Sequence, residues 1–335
     1  MSLYSIGVDL GGTNLRIAVV DEEGKLLEKV TSGTQVAKGR DHVIGEMTDA
    51  IRELAAKFRG TGELAGIGIG VPGIIDMETG MLRESPNLPG WDEYPVREEI
   101  ERRLGTQVIL ENDANAAAMG EKWLGAARDY PSMMMMTLGT GVGGGIVLDE
   151  LIWHGMNGMA GELGHITVEP DGAPCPCGNR GCVEQYASAT AIVRMARETI
   201  AGGLAVELSR ASQDKGKEFT ARVIYQLAVQ GDRPAQEIFT RVGRALGIVI
   251  ADMVNALNLH MIVIGGGVSS AWEAFSPAIF EEVRRRSFVY AKTTPTPQET
   301  NPKRKSTIIT RALLGSDAGL YGAARLPLLK QTARS

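Results

Sequence analysis

The sharpest chemical signal in this sequence is a group of soft metal ligands. Cys175, Cys177 and Cys182 are all the cysteines of the chain, and His165 precedes them by a short stretch. Three thiols and an imidazole form the closed tetrahedral ligand set of a structural Zn²⁺. Free cytosolic thiols are the competing reading, and the gathering of every cysteine in one place speaks against it. A second signal is a carboxylate ahead of an alanine run, Glu111-Asn112-Asp113-Ala114-Asn115-Ala116-Ala117-Ala118. The alanines favour helix, and Asp or Asn just before them is the usual N-cap. Asp113 is therefore read as a cap. The helix N-terminus also favours negative charge, which keeps that carboxylate ionised. An ionised carboxylate in such a place can orient a hydroxyl and accept its proton, and in a phosphoryl transfer such positioning would outweigh base strength.

Glycine is the compositional outlier, with 42 of 335 residues against a usual share of ~7%. The glycines cluster where tight turns or close backbone approach are expected. Gly68 to Gly73 and Gly139 to Gly144 both match Gly-x-Gly-x-x-Gly. A dinucleotide fingerprint must follow a strand and open a helix. The first runs into Pro72 and a loop, and the second into the strand-like Ile146-Val147-Leu148, so both fail that test. No Walker-type Gly-x-x-x-x-Gly-Lys-[Ser/Thr] occurs. A glycine-tipped β-hairpin is the alternative cradle, its N–H groups aimed at phosphate oxygens. Thr13 and Thr140 add hydroxyls at two such tips, and Asp9 is well placed to hold Mg²⁺ through water.

The elements that position these groups follow from periodicity. Residues 4–9 and 15–20 read as strands around Gly11-Gly12-Thr13. A helix over 41–58 carries Val43, Ile44, Met47, Ile51 and Leu54 at helical spacing. A strand at 65–71, a helix at 95–104 and a strand at 107–111 lead to the helix starting near Asp113. The pattern recurs with strands at 133–138 and 143–148 around Gly139-Thr140-Gly141. Helices at 188–201, 217–230 and 234–257, a buried strand at 261–264 and a last helix at 315–325 complete it. The Pro/Thr/Lys-rich stretch 293–305 reads as an exposed loop. Two similar halves suggest a duplicated α/β domain.

Asp9-Leu10-Gly11-Gly12-Thr13-Asn14-Leu15-Arg16 resembles the phosphate motif of the ROK family (repressors, open reading frames, kinases), and the likeness runs to Gly322. The resemblance implies an α/β fold of two RNase H-like domains of the hexokinase–actin–Hsp70 type, with ATP and sugar in the interdomain cleft. It implies ATP contacts at Gly11, Gly12, Thr13, Asn14, Thr140 and Gly141, and Mg²⁺ at Asp9. Ile264-Gly265-Gly266-Gly267-Val268 resembles the adenosine motif, though a strand-end turn reads equally well from the residues alone. The stretch around Asp113 resembles the catalytic motif, which makes Asp113 the base and Asn112 a sugar ligand. Gly158 to His165 and Cys175 to Glu184 resemble the family signature. By that likeness His165, Cys175, Cys177 and Cys182 hold Zn²⁺, while Glu162, His165 and Glu184 bind sugar hydroxyls. Ser85 to Trp91 resembles a sugar-contacting loop, with Asn87 and Gly73 as contacts.

The expected function is ATP-dependent phosphorylation of a hexose, glucose first, with mannose, fructose, N-acetylglucosamine and N-acetylmannosamine as alternatives. The expected domains are 1–118 plus 315–335, and 119–314. The net charge of -5 gives no basic face for nucleic acid. No apolar run is long enough to span a membrane, and nothing resembles a targeting segment, so a cytoplasmic protein is expected. A sugar-responsive repressor of the same family needs a helix-turn-helix ahead of the core, whereas Ile6 to Asp9 already begin it, so the regulatory alternative is a sugar-sensing member that lacks a DNA-binding domain. An actin-like filament former would leave the sugar and zinc motifs unexplained. A homodimer or dimer of dimers is expected from the family.

Overall fold

The computed structural model describes residues 2–203, 205–214, 216–294 and 305–332. In chain order these form β1 Leu3–Leu10, β2 Asn14–Asp21, β3 Leu26–Gly33, α1 Arg40–Phe58, β4 Glu63–Val71, β5 Ile74–Asp76, β6 Met81–Glu84, α2 Val96–Leu104, β7 Ile109–Asn112 and α3 Asp113–Trp123. Next come β8 Met133–Leu138, β9 Val142–Leu148, β10 Leu151–Ile152, α4 Glu184–Ala187, α5 Ala189–Ala201, α6 Val206–Ser212, α7 Ala221–Val229 and α8 Arg233–Leu257. The chain closes with β11 Met261–Gly265, α9 Trp272–Arg286, α10 Phe288–Thr293, β12 Ile308–Arg311 and α11 Ala318–Thr332. Among the described residues no helix is long and apolar enough to cross a membrane.

Two five-stranded sheets carry the α/β fold, in the orders β3-β2-β1-β4-β7 and β10-β9-β8-β11-β12. The two orders correspond strand for strand, as the recurring pattern in the sequence led one to expect. In the first sheet β1 pairs antiparallel with β2 and parallel with β4, which pairs parallel with β7. By contacts the chain divides into one unit of Met1–Met135, Gly145–Gly161 and Leu313–Ser335 and another of Met136–Gly144 and Glu162–Ala312. The expected break after residue 118 falls inside α3. The division by contacts keeps all of α3 with α11, because those two helices pack together.

In the first unit β1, β2 and β4 are covered on both faces, which explains their near-continuous buried runs. Ile17 and Val19 of β2 join Val43, Ile44, Met47 and Ile51 of α1 in one core. Ala18 and Val20, pointing the other way, pack on Leu320 and Ala324 of α11. That second contact is very close. A Cβ on Gly7 would lie 2.5 Å from the Leu320 carbonyl oxygen, and one on Gly68 would lie 2.0 Å from that of Ala323. A Cβ on Gly322 would lie 1.6 Å from the Ala116 oxygen of α3. Gly68, the head of a false dinucleotide motif, thus admits a helix rather than a pyrophosphate.

Several elements differ from expectation. β3 is exposed along most of its length, so no alternation marks it. α9 contains Pro277, which reads as a helix breaker because it lacks an N–H. The helix expected at 217–230 starts only at Ala221, where the Thr220 hydroxyl accepts from the Val223 N–H. The last helix starts at Ala318 after a 3₁₀ turn over Gly315–Asp317. Most of the expected loop 293–305 lies outside the described residues.

Candidate active site

In the first unit the hairpin between β1 and β2 turns at Gly11-Gly12-Thr13. The Gly11 N–H donates to the Asn14 carbonyl at 2.9 Å, and Thr34 N–H donates to the Thr13 carbonyl at 3.0 Å. Among the described residues the N–H groups of Gly12 and Thr13 make no hydrogen bond, which leaves two donors for an anion. A Cβ on Gly12 would lie 2.8 Å from the Asn87 carbonyl oxygen, so glycine here lets the 85–91 loop approach the tip. That loop is pinned in turn by the Ser85 hydroxyl, which donates to the Pro72 carbonyl at 2.7 Å.

Asp9 sits at the end of β1 beside this tip. Its Oδ2 accepts from Arg16 Nη1 at 2.8 Å, with the two side chains only 15% and 22% exposed respectively. Burial raises the Asp9 carboxyl above its ordinary value, and Arg16 opposes that rise. Oδ1 makes no hydrogen bond among the described residues. One carboxylate oxygen on a hydrated Mg²⁺ is the usual demand of that ion, which keeps several waters, so the donor set fits the expectation. Arg16, the last residue of the phosphate-motif stretch, is thus the partner of Asp9.

Asn112 and Asp113 stand where β7 becomes α3, and here the structure corrects the sequence reading. The cap is Asn112, whose Oδ1 accepts from the N–H groups of Ala114 at 2.9 Å and Asn115 at 3.2 Å. Asp113 is the first helical residue, with its own Oδ1 also 2.9 Å from the Ala114 N–H. The spacing alone could not separate two adjacent capping residues. Asn112 Nδ2 donates to the Gly73 carbonyl at 3.0 Å, and a Cβ on Gly70 would lie 3.7 Å from the Asp113 Cα. Gly73, Asn112 and Asp113 are thereby held together, as are Asn87 and the hairpin tip.

In the second unit the metal ligands expected from the sequence meet. The ligand atoms of His165, Cys175, Cys177 and Cys182 all lie within 4.8 Å of one another. Cys177 and Cys182 Sγ are 3.7 Å apart, and Cys175 Sγ is 3.8 Å from His165 Nδ1. Two sulfurs on one tetrahedral Zn²⁺ with bonds of ~2.3 Å stand about 3.8 Å apart, so the group fits the ion. Burial first, then the neighbouring sulfurs, pushes the Cys182 thiol up to about 12, a crowding of thiols that a cation relieves.

His165 Nε2 faces the other way, 3.9 Å from Glu162 Oε2. Burial raises the Glu162 carboxyl, His165 lowers it and Glu184 raises it, so these three residues share one neighbourhood. Glu184 opens α4, and its Oε2 accepts from the Val142 N–H at 2.8 Å. A Cβ on Gly141 would lie 2.5 Å from the same oxygen. The second hairpin tip is therefore tied to Glu184, a link that no local pattern announced.

That tip also adjoins α5. Ala189 N–H donates to the Gly139 carbonyl at 2.8 Å, and the Thr190 hydroxyl donates to the Thr140 carbonyl at 2.9 Å. A cavity of about 650 Å³ begins there, lined by Thr190, Val193 and Arg197 of α5 and by Phe219 ahead of α7. In the sequence these residues read as an ordinary amphipathic helix and a connection, with no local pattern that marks a cavity. At the end of β11, Gly266 has φ +80° and would place a Cβ 2.4 Å from the Leu138 carbonyl oxygen. Its glycine is required by the turn, whereas Gly267 faces open space.

Comparison with known proteins places these observations. The family model described as the ROK family matches residues 5–330. The glucokinase of Thermotoga maritima is 43% identical over 285 residues, covering 84% of this chain and 87% of that protein. The crystal structure of a ROK family glucokinase from Streptomyces griseus in complex with glucose and AMPPNP is 34% identical with a TM-score of 0.74, covering 96% of this chain and 98% of that one. The xylose repressor of Caldicellulosiruptor bescii is 32% identical over 285 residues, covering 85% of this chain and 71% of the repressor.

Proposed function

The chain belongs to the ROK family, and from that premise we propose that it phosphorylates a hexose with ATP, glucose being the preferred substrate. The observation that carries the reading is the junction of β7 and α3, where Asn112 caps the helix, holds Gly73 and leaves Asp113 in the first turn. Asp113 accepts the proton of the sugar hydroxyl as its oxygen attacks the γ-phosphorus and the bond to the ADP oxygen breaks. Asn112, Gly73 and Asn87 bind the sugar, as do Glu162, His165 and Glu184. The N–H groups of Gly12 and Thr13 serve the phosphates, together with Asn14, Thr140 and Gly141. The cavity beside Thr190 has the size for a nucleotide base and ribose, with Gly265 to Gly267 as further contacts.

Mg²⁺, when bound, neutralises charge on the transferring phosphate; Asp9 is the residue that would hold it through water. Zn²⁺ on His165, Cys175, Cys177 and Cys182 would order the sugar-binding segment and take no part in the transfer. The same reading puts the protein in the cytoplasm as a homodimer or dimer of dimers.

A coupled ADP-release assay over glucose, mannose, fructose, N-acetylglucosamine and N-acetylmannosamine tests the proposal. Glucose is expected to give the highest kcat/KM. Turnover with none of them sinks the kinase reading and favours a regulator, in keeping with the repressor relative. A higher value for another sugar moves the specificity and leaves the reaction standing.

A further inference from the structure

Glu111 is the residue before the cap, and it is 2% exposed. It lies on β7, paired in register with Gly70 of β4. A carboxylate buried so deeply must be supplied with donors. Its Oε1 accepts from the Asn112 N–H at 2.9 Å and from Asn115 Nδ2 at 3.0 Å. Its Oε2 meets His154 Nε2 at 2.7 Å. Glu111 therefore holds both the residue that caps α3 and a residue of its first turn. His154 lies just beyond β10, and its carbonyl accepts from the Ala160 N–H at 3.2 Å. One histidine thus joins the start of the catalytic helix to the turn that leads, two residues later, into Glu162.

We propose that His154 is a positioning residue for phosphoryl transfer, acting through Glu111 on Asn112 and Asp113. The inference rests on the kinase reading above and adds a role that neither the zinc site nor the phosphate loops supply. His154 touches no reacting atom; it fixes the orientation of a carboxylate that fixes the cap. Glu111 is the one charged group bearing on the ring among the described residues. The hydrogen bond to Glu111 raises His154 above its ordinary value of 6.5, and burial opposes the rise. A raised histidine is charged below its folded value. The charge-assisted bond is therefore fully present below pH 6.5 and weakens as pH climbs through the raised value.

The test compares wild type with His154→Ala and His154→Gln in the full chain. Misplacement of a reacting group by a remote change costs up to about 100-fold, so His154→Ala should lower kcat roughly 10- to 100-fold with the KM for ATP nearly unchanged. His154→Gln keeps a neutral N–H donor. It should recover most of that kcat and lose the alkaline fall of the wild-type pH profile. The nitrogen-15 spectrum of the four histidines gives a readout without turnover, the His154→Gln spectrum assigning the missing signal. A His154 midpoint above 6.5 supports the pair, and one at or below it overturns the proposal. Parity of kcat between wild type and His154→Ala overturns the positioning role alone. Equal loss in both variants, with equally lowered unfolding midpoints, reduces His154 to a structural part. Absence of turnover in wild type removes the kinase reading and this role with it.

Discussion

Asn112 Oδ1 accepts the N–H groups of Ala114 and Asn115, and by doing so leaves the adjacent Asp113 in the first turn of α3. Both residues reach the Ala114 N–H, but only Asn112 also holds that of Asn115, and only Asp113 brings a carboxylate to the first turn. Substitution should separate them. Asn112→Ala should cost about 1 kcal/mol of stability, the usual worth of a cap, visible as a lower urea midpoint. Asp113→Asn should leave that midpoint in place while kcat falls by roughly 10²–10⁴, the contribution of a positioned base. An Asp113→Asn variant that turns over like wild type would falsify the catalytic assignment.

The two ring nitrogens of His165 lead to a second prediction. Nδ1 faces Cys175 Sγ at 3.8 Å while Nε2 lies 3.9 Å from Glu162. Removing the metal with a chelator, or replacing Cys182 with Ser, frees the ring to turn. Glucose affinity should then fall by roughly 10- to 100-fold, the scale on which the surroundings of a metal ligand count. ATP affinity should stay. Calorimetric titration of each ligand, alongside metal analysis, decides the matter, and unchanged sugar binding in metal-free protein refutes an ordering role for zinc.

Gly322 offers a test of the fold. Its missing Cβ would sit 1.6 Å from the Ala116 carbonyl oxygen, which is backbone and cannot swing aside. Gly322→Ala must push α11 away from α3. The cost should reach or exceed the ~1–3 kcal/mol of ordinary overpacking. Gly60→Ala makes an informative contrast: no atom lies within 4 Å of its Cβ position, but its φ of +91° strains any side chain. Thermal unfolding of both variants separates crowding from backbone strain, and a wild-type midpoint for Gly322→Ala contradicts the packing described.

Acid stability carries a further prediction. The bond to Arg102, then that to Arg103, pulls the Glu99 carboxyl from 4.5 down to about 2. A lowered carboxyl contributes stability that is fully present above 4.5 and lost as pH falls toward 2. Urea unfolding of wild type and Glu99→Gln across that range should show the gap between them closing as the acid is approached. A gap that stays constant with pH removes Glu99 from the account.

What the sequence disclosed was whatever is written locally. The Gly-tipped hairpins, the alanine helix and the Cys175 to Cys182 cluster each fit within about a dozen residues, where period and spacing speak directly. Asn112 and Asp113 are neighbours with the same capping propensity, so local sequence cannot say which of them caps α3. β3 escaped because its exposed Leu26, Leu27 and Val30 lack the polar alternation of a half-buried strand. The pair of Glu111 and His154 spans 43 positions, and the bond of Val142 to Glu184 spans 42. Contacts at that separation belong to the topology and leave no trace in any short window. The glycines at 7, 68 and 322 were visible as composition but legible as helix seats only once α11 was in place.

Gly7 and Leu320 meet across almost the whole length of the chain. During synthesis, at about 5–20 residues per second, the strand bearing Gly7 emerges on the order of 15–60 s before the helix that seals it. For that interval the Ala18 and Val20 face of the first sheet has no native cover. The unit begun first is therefore the unit finished last. A ribosome that stalls after β12 leaves a nascent chain with an open apolar sheet, the kind of surface on which chaperones act.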